Sequence, residues 1–204
     1  MKQIIEHSLN RSMSYNQYID LMKTLTEKNA STGFEQSELL SNYTALNHRR
    51  MTRWDKKLSI GDSQQQAIKN FQKPVIWLVI TESWCGDAAH VMPVINKVAQ
   101  LNDNINLRVV LRDENSELMD LFLTDGARSI PKLIVLDADT KKILASYGPR
   151  PSVVMQMVKD YKKQYGKLTA EFKEDLQLWY NKDKGQSTIK DLVALLSVEI
   201  NALI

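Results

Sequence analysis

The sequence predicts an α/β fold in which a βαβ unit is followed by ββα, a mixed sheet flanked by helices, with helical extensions at both ends. Three observations carry this reading. Val75 to Thr81 (VIWLVIT) is an unbroken, mostly β-branched apolar run, the composition of a strand buried on both faces. Val91, Val94, Ile95 and Val98 then fall at the i, i+3, i+4, i+7 spacing of one helix face, and the apolar strand Leu107 to Leu111 follows a crossover long enough to make the pair parallel. Leu133 to Leu136 and Ile143 to Tyr147 flank the turn Asp137-Ala138-Asp139-Thr140 as a hairpin, and the amphipathic stretch Val153 to Tyr165 supplies the closing helix.

Residues 1 to 73 read as helical. Ser14-x-x-Gln17 has the form of a capping box, and Tyr15, Tyr18, Ile19, Met22 and Leu25 make one apolar face behind it. Ser37 caps a second helix with Leu39, Leu40, Tyr43, Leu46 and Trp54 expected inward and the basic cluster His48-Arg49-Arg50 expected on its solvated side. Ser63-x-x-Gln66 starts a short third helix through Ala67, Ile68 and Phe71, which Pro74 stops before the central strand. Beyond the second strand, Asp113-Glu114-Asn115-Ser116 caps a short helix carrying Leu118, Met119, Leu121 and Phe122. The tail gives two helical pieces, Thr169 to Asn181 and, from Thr188-x-x-Asp191, Ile189 to Ile200, with Ile189, Leu192, Val193, Leu196 and Ile200 on one face. Such a stripe packs into a core or makes a dimer contact, so the chain is read as a monomer or a homodimer.

Cys85 stands where the central strand hands over to a helix. A thiol there meets unpaired N–H groups and the positive end of the helix dipole, which favour the thiolate. Its flanks, Glu82-Ser83 and Gly86-Asp87, are polar, so Cys85 is expected to be exposed and reactive. Lys132 is expected to lower its pKa, and Asp87 and Glu82 to raise it. His90 lies five residues along the helix, about 140° round from the thiol, and is assigned to the surface.

Composition narrows the function classes. A net charge of +3 with 25% charged residues implies no nucleic-acid or membrane partner. One cysteine forms no intrachain disulfide, and His7, His48 and His90 have no ligand spacing, so no metal site is expected. The opening MKQIIEHSLN lacks an apolar signal region, and no stretch approaches the ~18 apolar residues of a membrane span, which reads as a cytoplasmic protein.

The order βαβ then ββα, with Trp84-Cys85-Gly86 at the first strand-to-helix turn, Pro93 eight residues after the cysteine, Ile130-Pro131 before the hairpin and Gly148 after it, resembles thioredoxin over about residues 60 to 165. Thr81-Glu82-Ser83-Trp84-Cys85-Gly86-Asp87-Ala88 and Trp179 to Gly185 are further similar to a group of mostly bacterial thioredoxin-like proteins with helical extensions. The implied organisation is a helical N-terminal extension 1–59, a thioredoxin-like domain 60–165 and a helical C-terminal extension 166–204. The resemblance implies a cis peptide at Pro131, lying against the reactive cysteine, and a kink at Pro93. It also implies a substrate groove formed by Trp84, Gly86, Asp87, Ile130 and Pro131, in which the backbone of residue 130 pairs with an extended peptide.

The chain departs from that family where turnover is carried. Ala88 occupies the place of the resolving cysteine, Asp87 that of a usual proline, and Val79 that of the buried acid six positions before the cysteine. A thiolate at Cys85 can attack a disulfide but has no second thiol to release it. The expectation is therefore a monothiol oxidoreductase acting on a protein or small-molecule thiol or disulfide, completed by an external thiol, with no cofactor and no metal. The alternative is a redox-inactive binding or chaperone-like module in which Cys85 is a relic, and the state of Cys85 discriminates the two.

Overall fold

A computed structural model describes residues 1–201, with side chains as far as Ser197. Its sheet has the order β2-β1-β3-β4, built from β1 (Val75–Thr81), β2 (Ile105–Leu111), β3 (Lys132–Asp137) and β4 (Ile143–Tyr147). β1 runs parallel to β2 and antiparallel to β3, and every one of its residues is buried, as an apolar β-branched run requires. Ile80 faces Lys132 across the sheet. That register brings Ile130 and Pro131, at the head of β3, alongside the end of β1 where the Cys85 turn begins. The Ile130–Pro131 peptide is cis, as is Gly148–Pro149. Gly148, at φ +100°, sits beneath this bend, where a Cβ would run into the Pro131 carbonyl oxygen.

Before the sheet come α1 (Lys2–Asn10), α2 (Tyr15–Glu27), α3 (Glu38–Lys57) and α4 (Asp62–Lys69); α5 (Ala88–Ala99) joins β1 to β2; and α6 (Ser116–Asp120), α7 (Ser152–Tyr165), α8 (Ala170–Asp183) and α9 (Gln186–Asn201) complete the chain. The capping box forms: Ser14 Oγ accepts from the Gln17 N–H, and Gln17 Oε1 from the Ser14 N–H at 2.7 Å. Tyr15, Tyr18 and Met22 of the face behind it are buried. Met13 exchanges backbone hydrogen bonds with Val109, so the segment before α2 covers the outer edge of β2. One contiguous apolar core runs from Ile5 of α1 to Leu196 of α9, so both sets of extension helices share the core of the sheet. No helix among the described residues is long and apolar enough to cross a membrane.

Four helices differ from expectation. α6 ends at Asp120, so Leu121 and Phe122, expected on it, lie beyond its end. In α3 the buried face is Ser41, Thr44, Asn47, Met51 and Trp54, whereas Leu39 and Tyr43 are 64% and 45% exposed. The first half of the helix lies on the polar turn at Ser83, whose hydroxyl and carbonyl need partners, so the polar stripe goes inward and the apolar one outward. α4 starts at Asp62 with Gly61 as its cap, and Ser63 is inside it. α9 starts at Gln186, because Asp183 accepts from both the Ser187 N–H and its hydroxyl and draws the first turn forward. Ile189, Leu192 and Leu196 pack against α4, α5, α7 and β4; Ile200 lies outside the described side chains. The short link into α9 needs Gly185, where a Cβ would come within 2.8 Å of Val94 and 2.9 Å of Leu58.

Candidate functional site

Cys85 follows β1 in a tight turn, its N–H donating to the Glu82 carbonyl at 3.2 Å and its carbonyl accepting from Ala89 at the start of α5. Its thiol donates to the Ile130 carbonyl at 3.3 Å. It is not exposed, as its polar flanks had led us to expect, but only 8% accessible. Glu82 and Ser83 are polar and buried, held by partners from distant segments, although Glu82 Oε2 has no hydrogen-bond partner among the described residues; Gly86 and Asp87 are half-buried. Ser83 is held by Thr32, by the Thr44 hydroxyl at 2.7 Å and, through its carbonyl, by the Asn47 amide at 3.0 Å. Glu82 Oε1 accepts from the Asp113 N–H at 2.9 Å. Partners supplied from distant segments let a polar turn sink into the core.

The electrostatics follow from that burial. Desolvation first, and then the Asp87 carboxylate, push the Cys85 thiol up to about 12; the N–H groups of Ala88 and Asp87 and the Arg150 guanidinium pull the other way and lose. Lys132, expected beside the thiol, instead donates to the Thr124 hydroxyl at 2.6 Å and to the Gly148 carbonyl. Burial raises the pKa of Glu82 as well.

Asp87 does not cap α5 with its side chain. Its Oδ2 pairs with Arg150 at 2.7 Å and its Oδ1 accepts from the Tyr180 hydroxyl at 2.9 Å, so the carboxylate stays beside Cys85. Tyr180 also stacks on His90, rings 4.5 Å apart and 3° from parallel. His90 is therefore not a surface residue: it is 4% exposed, accepts from Trp54 Nε1 at 3.0 Å through Nδ1, and so donates through Nε2 to Gln177 Oε1 at 3.0 Å. It does point away from the thiol, and what it faces is α3 on one side and α8 on the other. Burial holds its pKa down to about 4.

α3 and α8 flank the turn and leave a cleft of about 620 Å³. Trp84, Cys85, Gly86 and Asp87 line it, with Tyr43 and Arg50 from α3, Arg150, and Lys173 and Gln177 from α8. Half-buried Trp84 carries the Arg112 guanidinium 4.8 Å above its ring. Ile130 and Pro131 are buried and lie outside the cleft lining; the Ile130 carbonyl is turned to the Cys85 thiol. Arg50, grouped in the sequence with an outward basic cluster, stands in the cleft wall. Arg150, Gln177 and Tyr180 had no role in the sequence reading, although Tyr180 lies in the Trp179 to Gly185 stretch that carries part of the resemblance. No group of three or more His, Cys, Asp or Glu among the described residues is placed to hold a metal ion.

Comparison with known proteins gives a family model described as Thioredoxin, matching residues 33–162. A protein of unknown function from Pseudomonas aeruginosa, with a 1.5 Å crystal structure, is 18% identical with a TM-score of 0.60, covering 94% of this chain and 99% of its own. An HIV epitope scaffold is 18% identical with a TM-score of 0.55, covering 91% of this chain and 98% of its own. At that identity they share the fold. No curated protein matches the sequence.

Proposed function

The chain belongs to the thioredoxin family, and on that premise we propose that it works as a binding module built on the thioredoxin fold, with Cys85 a protonated thiol on the floor of its cleft. The observation that supports this reading is the setting of the sulfur: buried, donating to the Ile130 carbonyl, and beside an Asp87 carboxylate that Tyr180 and Arg150 hold in place. Attack on a disulfide needs the thiolate, and a thiol with a pKa of about 12 is ionised in only about one molecule in 10⁵ at pH 7. Release needs a second thiol, and Ala88 has none. Trp84, Gly86 and Asp87 then serve as ligand contacts, while Ile130, behind the lining, holds the Cys85 thiol through its carbonyl and the cis Pro131 follows it.

A second reading, monothiol exchange, draws on the N–H groups of Asp87 and Ala88 and on Arg150, all of which favour a thiolate at Cys85. In it the thiolate attacks a mixed disulfide R–S–S–R′, forming Cys85–S–S–R and expelling R′S⁻; an external thiolate then attacks that bond, freeing Cys85 and leaving with R as a new disulfide. A coupled assay decides between the two, following reduction of bis(2-hydroxyethyl) disulfide by glutathione. The binding reading predicts no rate above that of Cys85→Ser, and a rate about tenfold above that variant establishes exchange in its place.

A further inference from the structure

Of the two guanidinium groups in the cleft, Arg150 is taken by Asp87 and Arg50 is not. Among the described residues no carboxylate pairs with Arg50. It makes one hydrogen bond among the described residues, from Nη1 to Asn47 Oδ1 at 3.1 Å, and its other donors meet no partner there. Asn47 is fully buried and donates to the Ser83 carbonyl at 3.0 Å. One side chain thus fixes the guanidinium to the backbone two residues before Cys85. A cation held half-buried without a counter-charge is costly: burial works against its charge, and Arg53 repels it. A bound anion would offset both penalties.

We propose that this cleft binds a carboxylate-bearing small molecule, anchored by Arg50. The planar guanidinium fork matches a carboxylate in two parallel hydrogen bonds, a fit that the ammonium of a lysine does not reproduce. On the facing helix Lys173 is offset by the Glu174 carboxylate beside it, so Arg50 carries the anchoring charge, and Tyr43, Trp84 and Leu176 supply apolar surface for the body of the ligand. The volume of about 620 Å³ is that of a small-molecule site, typically about 300–1,000 Å³. Because Cys85 forms the floor, the ligand's middle lies over the sulfur. The assignment names a ligand class for the binding reading above and rests on it in placing the ligand in this cleft.

The test titrates the full chain calorimetrically at low salt with S-methylglutathione, a tripeptide thioether with two carboxylates and no thiol to exchange, and with its diethyl ester, which keeps the ammonium and has no carboxylate. The acid should bind the native protein about tenfold or more tighter than the ester. Arg50→Gln should abolish that difference, Arg50→Lys should keep part of it, and Arg49→Gln, on the exposed face of the same helix, should leave it unchanged. The proposal is overturned if acid and ester bind alike, if neither binds, or if Arg49→Gln and Arg50→Gln have equal effects. Arg50→Lys keeps the test decisive should Arg50→Gln fold poorly. Arg50-dependent binding together with turnover through Cys85 would overturn the binding-module reading and uphold this assignment. Failed titrations with no turnover would overturn this assignment alone.

Discussion

Tyr180 of α8 donates its phenolic O–H to Asp87 Oδ1 at 2.9 Å, across 93 residues of sequence, while Arg150 holds Oδ2 at 2.7 Å. The C-terminal helices are thereby part of the wall around Cys85. The carboxylate they fix is the largest charge opposing the thiolate, second in effect only to burial itself. The low activation of this thiol is therefore produced jointly by the turn and by a helix far along the chain.

Replacing Asp87 by Asn tests that link. The variant removes the negative charge beside the sulfur and leaves the Arg150 charge, so the Cys85 pKa should fall by about one unit or more. It also strands a largely buried guanidinium, which should cost about 2–3 kcal/mol in urea unfolding. A thiol midpoint that does not move would show that Asp87 is no part of the effect.

His90 predicts a pH dependence. Burial lowers its folded pKa from 6.5 to about 4, with the Gln177 bond opposing and Arg50 and Arg53 assisting. The folded ring stays neutral, since Trp54 donates to its Nδ1, while the unfolded ring takes up a proton below 6.5. Its contribution is complete above the unfolded value and is lost as pH falls from 6.5 towards about 4, by on the order of 3 kcal/mol. Unfolding free energies of the native protein minus His90→Gln, from about pH 7.5 to about pH 4, should shrink by that amount. A difference constant with pH would contradict the assignment of a buried neutral ring.

Thr44→Val addresses the polar seat of the turn. It keeps the volume but deletes the hydroxyl that meets Ser83 at 2.7 Å, in a site with no water access. The loss should be about 1–3 kcal/mol. The matching change at half-buried Thr52→Val, whose hydroxyl only bonds back along its own helix, should stay within about 0.5 kcal/mol. Equal effects at the two sites would mean that the Ser83 network contributes nothing.

What could be read from the sequence follows the range of the forces involved. β1 to β4, the face of α2 and the Ser14 capping box depend on periodicity and on neighbours a few residues away, and they stand where the sequence puts them. The buried face of α3 does not, because Thr44 and Asn47 go inward only to reach Ser83, 39 and 36 residues on. The same holds at Cys85. Glu82 and Ser83 look solvated until Thr32, Asn47 and Asp113 arrive to bond them, and His90 looks like a surface residue until Trp54 and Tyr180 enclose it. Residues within the Trp84 to Asp87 turn were legible through local chemistry and family pattern, whereas Arg50, Arg150 and Tyr180 gain their roles only from tertiary contact.

The pH dependence of Cys85 alkylation by iodoacetamide on the folded protein, against a free thiol, tests the central claim most directly. A buried thiol bonded to Ile130 and set beside Asp87 predicts a midpoint well above the ~8.5 of free cysteine, slow reaction at neutral pH, and the free rate only on unfolding. A midpoint below that of the free thiol, with fast reaction at neutral pH, would contradict it and make Cys85 an activated nucleophile.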